Sequence, residues 1–119
     1  MKTSNNLYKI KKGKWGEDKA AEFLKGKGYS IIERNYRCRW GEIDIIAERA
    51  GTVHFVEVKT RSSDDYGSPL EAITCDKMHH IMRAAQYYIH SNSLEACEIS
   101  LDGIGICKDS IDFVQGINM

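Results

Sequence analysis

The stretch that decides the fold is Val53-His54-Phe55-Val56-Glu57-Val58-Lys59-Thr60, the strongest predicted β-strand in the chain. Before it lies Gly41-Glu42-Ile43-Asp44-Ile45-Ile46-Ala47, a second run rich in β-branched residues. Ala50-Gly51-Thr52 separates the two runs and has the composition of a tight turn. The sequence therefore predicts a β-hairpin over residues 42–60.

Helical periodicity flanks this hairpin on both sides. Residues 14–27 place Glu17, Ala20, Ala21 and Leu24 on one stripe, at the spacing of an α-helix. A second helix is predicted after the hairpin, starting either at Ser68-Pro69 or at a second cap, Thr74, and ending near His90. We expect Tyr87 and Tyr88 to pack this second helix onto the sheet.

Further strands are predicted over residues 29–36, 96–107 and 111–114. The order of helix, strands, helix and strands is typical of an α/β domain with a central mixed β-sheet flanked by helices. A chain of 119 residues has room for one such domain, residues 1–119, in which we expect residues 1–12 to form a loosely ordered basic arm.

Composition places the chain among ordinary globular proteins. Hydrophobic residues make up 42% and charged residues 29%, and no apolar run is long enough to span a membrane. The N-terminal lysines are not followed by an apolar block, so a secretory signal is not expected. The four cysteines show neither C-x-x-C pairing nor zinc-finger spacing, which favours isolated thiols in a reducing cytoplasm.

Charged residues within the apolar elements are the candidates for chemistry. Glu57 and Lys59 lie two apart and project from one face of their strand, and pairing through the turn would bring Asp44 near them. Glu17 stands on an apolar helical stripe, where a carboxylate needs a partner. Converging carboxylates suit a hard divalent cation such as Mg²⁺, which also accepts phosphate oxygens as ligands. A lysine beside the ion would either offset developing charge or act as a base in phosphodiester hydrolysis.

Plainer interpretations remain open for each of these residues. Asp44, Glu57 and Lys59 could face solvent on a half-exposed hairpin. Glu17 could be an acid near a helix N-terminus that interacts with the macrodipole.

The zero net charge conceals an asymmetry. The first 40 residues carry 11 Lys and Arg against 4 Asp and Glu, and the rest of the chain carries the opposite excess. Such a basic third can hold a polyanion, with Trp15, Tyr36 and Trp40 available for stacking. Lys77 lies on the inward stripe of the second helix, where it either reaches outward or points at the site. The candidate nucleic-acid contacts are Lys11, Lys12, Lys14, Arg37, Arg39, Arg61 and Lys77. Lys9 and Arg34 belong to the same basic third of the chain and could also follow a phosphate backbone.

Several motifs together resemble the YraN family of small bacterial proteins predicted to be endonucleases. They are Gly16-Glu17 with Ala20, Gly41-Glu42-Ile43-Asp44, the run from Phe55 to Arg61, and Lys77 with Ala84-Ala85. The resemblance covers about residues 8–107. It implies the PD-(D/E)XK nuclease superfamily, a restriction-endonuclease-like fold and a distant similarity to archaeal Holliday-junction resolvases.

This resemblance implies a role for each matching residue. Asp44 matches the motif aspartate, Glu57-Val58-Lys59 matches (D/E)-x-K, and Glu17 matches the helix acid of resolvase-like members. Asp44, Glu57 and the Val58 carbonyl would hold Mg²⁺ or Mn²⁺, and Glu17 would contribute through water. Lys59 would be the catalytic lysine.

The chain departs from the superfamily pattern at two positions. Ile43 replaces the proline that names the motif, and Ser100 stands where many relatives carry an arginine, two residues before Asp102. The second departure concerns a phosphate contact and leaves the metal ligands intact.

Two functions follow as hypotheses. The first is a metal-dependent endonuclease acting on DNA, including branched DNA, as a homodimer by analogy with the resolvases. The second is a non-catalytic nucleic-acid-binding or assembly module on the same fold.

Overall fold

The computed structural model describes the backbone of residues 3–61 and 73–117 and the side chains of residues 13–61 and 73–117. In chain order the elements are α1 (Thr3–Gly26), β1 (Ser30–Cys38), β2 (Gly41–Arg49), β3 (Thr52–Arg61), α2 (Cys75–Ser91), β4 (Glu98–Cys107) and β5 (Ser110–Val114). This order confirms the predicted α/β class.

The strands form one mixed sheet in the order β1-β2-β3-β4-β5. Strands β1, β2 and β3 are joined by short turns and pair antiparallel, as do β4 and β5. Between β3 and β4 the chain passes through α2, and these two strands pair in parallel. The central mixed sheet flanked by helices is therefore confirmed.

The predicted hairpin turn is confirmed at Ala50 and Gly51, the two residues between the paired positions Arg49 and Thr52. Both have positive φ, 52° and 85°, which is the backbone of the two-residue turns that match strand twist. The Gly51 amide also donates to Oε2 of Glu48 at 2.9 Å. This turn sets the register that aligns Asp44 with Glu57 along β2 and β3.

Helix α1 covers one face of the sheet through the predicted stripe. Ala20 and Leu24 are fully buried against Ile45 and Val56 of the central strands. Burying one such large apolar side chain contributes roughly 1.5–3 kcal/mol. The helix begins at Thr3, earlier than the expected start near Lys14. The side chains of residues 1–12 lie outside the described residues, so the expectation of a basic arm there stays a prediction.

Helix α2 covers the opposite face. Its buried residues are Met78, Ile81, Ala84, Ala85 and Tyr88. Thr74, the second of the two predicted caps, accepts a hydrogen bond from the Lys77 amide, while Ser68 lies outside the described residues. Tyr88 packs on Phe55 as expected, but the same expectation for Tyr87 is wrong. Tyr87 is one residue round the helix from the buried stripe and is exposed.

A polar group is buried within the sheet itself. Asp102 of β4 accepts hydrogen bonds from Nδ1 of His54 at 2.6 Å, from Oγ of Ser100 at 2.6 Å and from the Gly116 amide at 3.0 Å. The Ile117 amide adds a bond of 2.7 Å to the Leu101 carbonyl. Asp102 therefore fixes the segment after β5 to the sheet.

The structure also bears on the cysteines and on membrane insertion. All four cysteines are free, as their spacing predicted. Among the described residues, no helix has the length and apolar character needed to cross a membrane.

Candidate functional site

The central hairpin opens into a fork. The pairing of β2 with β3 runs from the turn as far as Ile45 and Val56 and stops there. Beyond this point β2 stays paired with β1 as far as Gly41, and β3 stays paired with β4 as far as Arg61. The two strands therefore separate at the positions of Asp44 and Glu57.

Asp44 occupies the mouth of this fork. Its Oδ2 accepts a hydrogen bond of 2.8 Å from the Val58 amide, in the place of a strand-to-strand bond. A side-chain acceptor thus satisfies the backbone group that the separation of the strands leaves open. The same bond holds the Asp44 carboxylate against β3.

Glu57 lies on the α2 side of the fork with a side chain only 3% exposed. Its Oε2 is 3.4 Å from Nζ of Lys77 and 4.0 Å from Nζ of Lys59. Burial, the neighbouring charge of Asp44 and a hydrogen bond to Asp44 raise the pKa of Glu57 to about 8 against the pull of the two amines. Asp44 and Glu57 therefore form a pair of acids that cannot easily both ionise.

Glu17 approaches the fork from the α1 side. Gly16 permits this approach, because a Cβ at Gly16 would collide with Oγ1 of Thr60 on β3. The Glu17 carboxylate lies 3.8 Å from Nη2 of Arg34 and hydrogen-bonds to Asn35. Burial and the charge of Asp44 raise the pKa of Glu17.

The predicted metal ligands thus form two neighbouring pairs that share Asp44 and do not form one cluster of three. Asp44 neighbours both Glu57 and Glu17, but these two glutamates extend from opposite faces of the sheet. Within residues 13–61 and 73–117, no group of three His, Cys, Asp or Glu side chains is arranged as a metal site. Asp44 and Glu57 still fit Mg²⁺, which binds one or two carboxylates and otherwise water and substrate oxygens. A cation between them would also relieve the repulsion that raises the pKa of Glu57.

Cavities on both sides of the fork are lined by predicted nucleic-acid contacts. On the α1 side, Lys14 and Arg37 border a cavity of about 550 Å³ together with Glu17. On the α2 side, Arg37, Arg39 and Lys77 border one of about 510 Å³. Glu17 lines the first cavity, and Lys77, which contacts Glu57, lines the second, so these cations lie on both sides of the fork.

The remaining predicted cations are placed differently. Arg61 ends β3 and is partly buried. Arg34 contacts Oδ1 of Asp18 at 2.6 Å as well as Glu17, so it is paired with acids of α1. Lys11 and Lys12 lie outside the residues whose side chains are described.

Sequence reasoning missed two residues at the fork. Asn35 has a φ of 54°, and Glu42 lines both cavities. Asn tolerates the left-handed backbone better than most residues, so an Asn in a strand pattern was an available signal. Glu42 belongs to the motif Gly41-Glu42-Ile43-Asp44 that carries the family resemblance, but the resemblance gave it no role.

Comparison with known proteins gives one consistent result. The model of the uncharacterised protein family UPF0102 matches residues 16–114, which include the whole fork and α2. A UPF0102 protein of Caldicellulosiruptor saccharolyticus is 43% identical over 113 residues, covering 95% of this chain and 96% of the relative. A UPF0102 protein of Persephonella marina is 46% identical over 104 residues, covering 87% and 90% of the two chains. The chain belongs to the UPF0102 family.

Proposed function

We propose that this protein is a divalent-metal-dependent endonuclease that hydrolyses phosphodiester bonds in DNA, branched DNA included. The observation that carries the proposal is the buried Glu57 carboxyl at the fork, next to Asp44 and within 4.0 Å of two amines. A buried glutamate next to a second carboxyl is unfavourable to the fold, and the half-exposed Lys59 and Lys77 offset this only in part. Such a pair is explained by a ligand that brings the positive charge. The resemblance to the YraN family and to PD-(D/E)XK nucleases supports the same conclusion.

Asp44, Glu57 and the Val58 carbonyl are the groups that would hold the ion. Bound Mg²⁺ or Mn²⁺ would neutralise charge on the scissile phosphate and lower the pKa of the attacking water. The hydrogen bond from the Val58 amide keeps Asp44 oriented toward the fork. Glu17, beside Asp44, would act on the ion through water.

The two lysines would serve the phosphate. Lys59 is the catalytic lysine of this proposal, since it projects beside Glu57 at the end of the same strand. Its ammonium would offset the negative charge that develops on the phosphoryl oxygens as water attacks and the ester oxygen leaves. Lys77 lies closer to Glu57, at 3.4 Å, and borders the α2-side cavity, so it would hold the phosphate backbone next to the scissile bond.

A second candidate function is a nucleic-acid-binding module without catalysis. The observation that favours it is the absence of a three-residue metal site among the described residues. In such a module the cations around the fork would bind nucleic acid, and Lys59 and Lys77 would pair with Glu57 without a metal ion.

A cleavage assay with Mg²⁺ or Mn²⁺ separates the two functions. Wild-type protein is tested on single-stranded, duplex, flap and four-way DNA and on the matching RNA. We expect Asp44→Asn, Glu57→Gln and Lys59→Ala each to lower cleavage at least about a hundredfold while binding in EDTA stays within about threefold. Glu98→Gln, the same chemical change at an exposed position of the adjacent strand, is the matched control and should cleave normally.

Calorimetric titration with the metal completes the test. Wild type should bind Mg²⁺ or Mn²⁺, and Asp44→Asn should not. Metal binding with no cleavage of any substrate would reject the endonuclease. Absence of both would establish the binding module, provided that the wild type binds one of the nucleic acids.

A further inference from the structure

An aromatic surface lies beside the fork on the α2 side. Trp40, in the β1–β2 turn, is 38% exposed, and Tyr87 of α2 is 46% exposed. Large aromatic side chains are rarely left in water without a reason when they stand together. We call the surface formed by Arg39, Trp40, Arg83 and Tyr87 the Trp40 surface.

Two cavities meet at Trp40. The α2-side cavity of about 510 Å³ extends from Lys77 and Glu42 to Trp40. A second cavity of about 400 Å³ continues from Trp40 past Arg83 to Tyr87. Trp40 lines both cavities, so together they follow α2 as one path, and Lys77 at its near end contacts Glu57 of the proposed cleavage site. At about 1.5 Å per helical residue, the path from Lys77 to Tyr87 is about 15 Å long.

The charge of this path suits a polyanion. The Arg39 and Arg83 guanidinium groups lie 4.8 Å and 5.2 Å from the centroid of the Trp40 ring. Arginine combines stacking on aromatic rings with bidentate binding of phosphate. Glu42 is an acid on the path, and its carboxylate is 3.7 Å from Nε of Arg37. Cations therefore outnumber acids among the residues that line the two cavities.

The turn that carries Trp40 is seated closely on α2. Gly41 has a φ of 150°, and a Cβ there would lie 3.4 Å from the His80 carbonyl oxygen. A glycine is needed for that backbone conformation, and it brings the turn against the helix. Trp40 and Tyr87 are thus presented by two elements in direct contact.

We propose that the Trp40 surface binds single-stranded nucleic acid, with unpaired bases stacked on Trp40 and Tyr87 and phosphates bound by Arg39 and Arg83. Aromatic stacking needs bases that are not paired in a helix, whereas a duplex offers only its phosphates to such a surface. The surface selects substrates that carry an unpaired segment next to the scissile bond. This specificity rests on the proposed function, but the binding itself does not.

The test uses binding and cleavage as separate measurements. The chain has two tryptophans, so Trp15→Phe leaves Trp40 as the only indole. Titration of this variant with a single-stranded oligonucleotide in EDTA should quench its fluorescence, and the same sequence as a duplex should quench it little. Trp40→Leu and Tyr87→Leu should each weaken single-strand binding about tenfold, equivalent to about 1.4 kcal/mol, and change duplex binding less than twofold.

Trp15→Leu is the matched control. Trp15 is also exposed and also has a cation over its ring, Nζ of Lys19 at 4.7 Å, but it lies on α1 and lines neither of the two cavities. Although the sequence offered Trp15 for stacking as well, its place on α1 puts it outside the Trp40 surface, so we expect Trp15→Leu to leave single-strand binding unchanged. Circular dichroism of each variant, with Trp40→Phe as a milder substitution that keeps a stacking ring, controls for folding.

Each remaining outcome has a defined meaning. Equal losses on single strand and duplex, equal losses in Trp15→Leu, or no binding of single strands overturn the proposal. So does a change from dimer to monomer in Trp40→Leu with unaltered single-strand binding, because the surface would then be an interface between copies. Stacking without cleavage of any substrate upholds this inference and rejects the nuclease. Cleavage and single-strand binding that are both unchanged in Trp40→Leu would support the nuclease and reject this inference.

Discussion

Two buried acids on neighbouring strands, Asp102 and Glu57, differ in how the protein satisfies them. Asp102 is 1% exposed and accepts hydrogen bonds from His54, Ser100 and the Gly116 amide. Glu57 is 3% exposed, faces a second carboxyl and has a pKa raised to about 8. Burial is nearly equal, so it does not distinguish a structural acid from a site.

The difference lies in the donors supplied by the fold. Three donors surround Asp102, and the bond from the Gly116 amide fixes the segment after β5. Around Glu57 the two amines belong to half-exposed side chains, and Asp44 opposes their effect. A buried acid whose environment disfavours its charge is a candidate for ligand binding, whereas a fully hydrogen-bonded one is better explained by stability.

The largest expected difference between the two acids is in the pH dependence of stability without metal. A raised pKa means that the folded protein holds the Glu57 proton more tightly than the unfolded chain does. The contribution of Glu57 to the free energy of unfolding is therefore fully present below the ordinary pKa of 4.5. It is lost as the pH rises toward about 8, so that stability falls by a few kcal/mol. Urea unfolding in EDTA between pH 4.5 and 8.5 measures this decline.

Glu57→Gln should remove most of that decline, because the amide has no proton to lose. Equal slopes in wild type and Glu57→Gln would show that Glu57 is not the group responsible. Mg²⁺ added at pH 8 should stabilise wild type more than Glu57→Gln.

The half of this contrast that concerns Glu57 was predictable from the sequence. The alternation in residues 53–60, the turn at 50–52 and the run before it placed Asp44 near Glu57, and the structure confirms the hairpin and this proximity. These features depend on local periodicity and turn chemistry, which a sequence carries directly.

What the sequence could not supply depends on contacts between distant elements. The sequence left open whether Lys77 reaches outward or points at the site. Only the packing of α2 on the sheet places its amine next to Glu57. The sequence did not predict the separation of β2 from β3 beyond Ile45 and Val56, since both strands continue without a break in pattern. Tyr87, by contrast, could be distinguished from Tyr88 by sequence alone, because only Tyr88 continues the helical spacing of Ala84 and Ala85, and the structure buries only Tyr88.

The second prediction concerns the hydrogen bonds of Asp102. Asp102→Asn keeps the shape of the side chain but replaces one acceptor oxygen with a donor. Oδ2 accepts only from His54, whereas Oδ1 accepts from both Ser100 and the Gly116 amide, so the change removes one or two of the three bonds. We expect the free energy of unfolding to fall by about 2 kcal/mol. Asp102→Ala removes all three bonds, so in that variant hydrogen exchange of the Gly116 and Ile117 amides should also become faster, because the segment after β5 loses its attachment.

Asp112→Asn is the control for that change, since Asp112 is exposed on the neighbouring strand β5. It should alter stability by less than about 0.5 kcal/mol. If Asp102→Asn were as harmless as Asp112→Asn, the structural role of Asp102 would be refuted.

The smallest expected effect concerns Glu17, which is intermediate between Asp102 and Glu57 in how far hydrogen bonds and charges satisfy its carboxylate. Glu17 has a raised pKa like Glu57, but it also has a hydrogen-bond partner, Asn35, and lies near Arg34. Its distance from the sheet is set by Gly16, which allows α1 to touch Thr60. Gly16→Ala should push α1 outward and lower the free energy of unfolding by about 1 kcal/mol, even though alanine is the better helix former.

Gly13 provides the matched comparison, because no described atom outside its own helix lies within 4 Å of a Cβ built there. Gly13→Ala should therefore stabilise the protein by up to about 1 kcal/mol, the gain in helix propensity alone. Thr60→Ala removes the oxygen that the new methyl would strike, so it should restore the stability of Gly16→Ala more than it changes that of wild type. Urea unfolding of the single and double variants gives this coupling energy. Additive effects would mean that close packing at Thr60 does not set the position of α1, and that Glu17 owes its place beside Asp44 to Arg34 and Asn35.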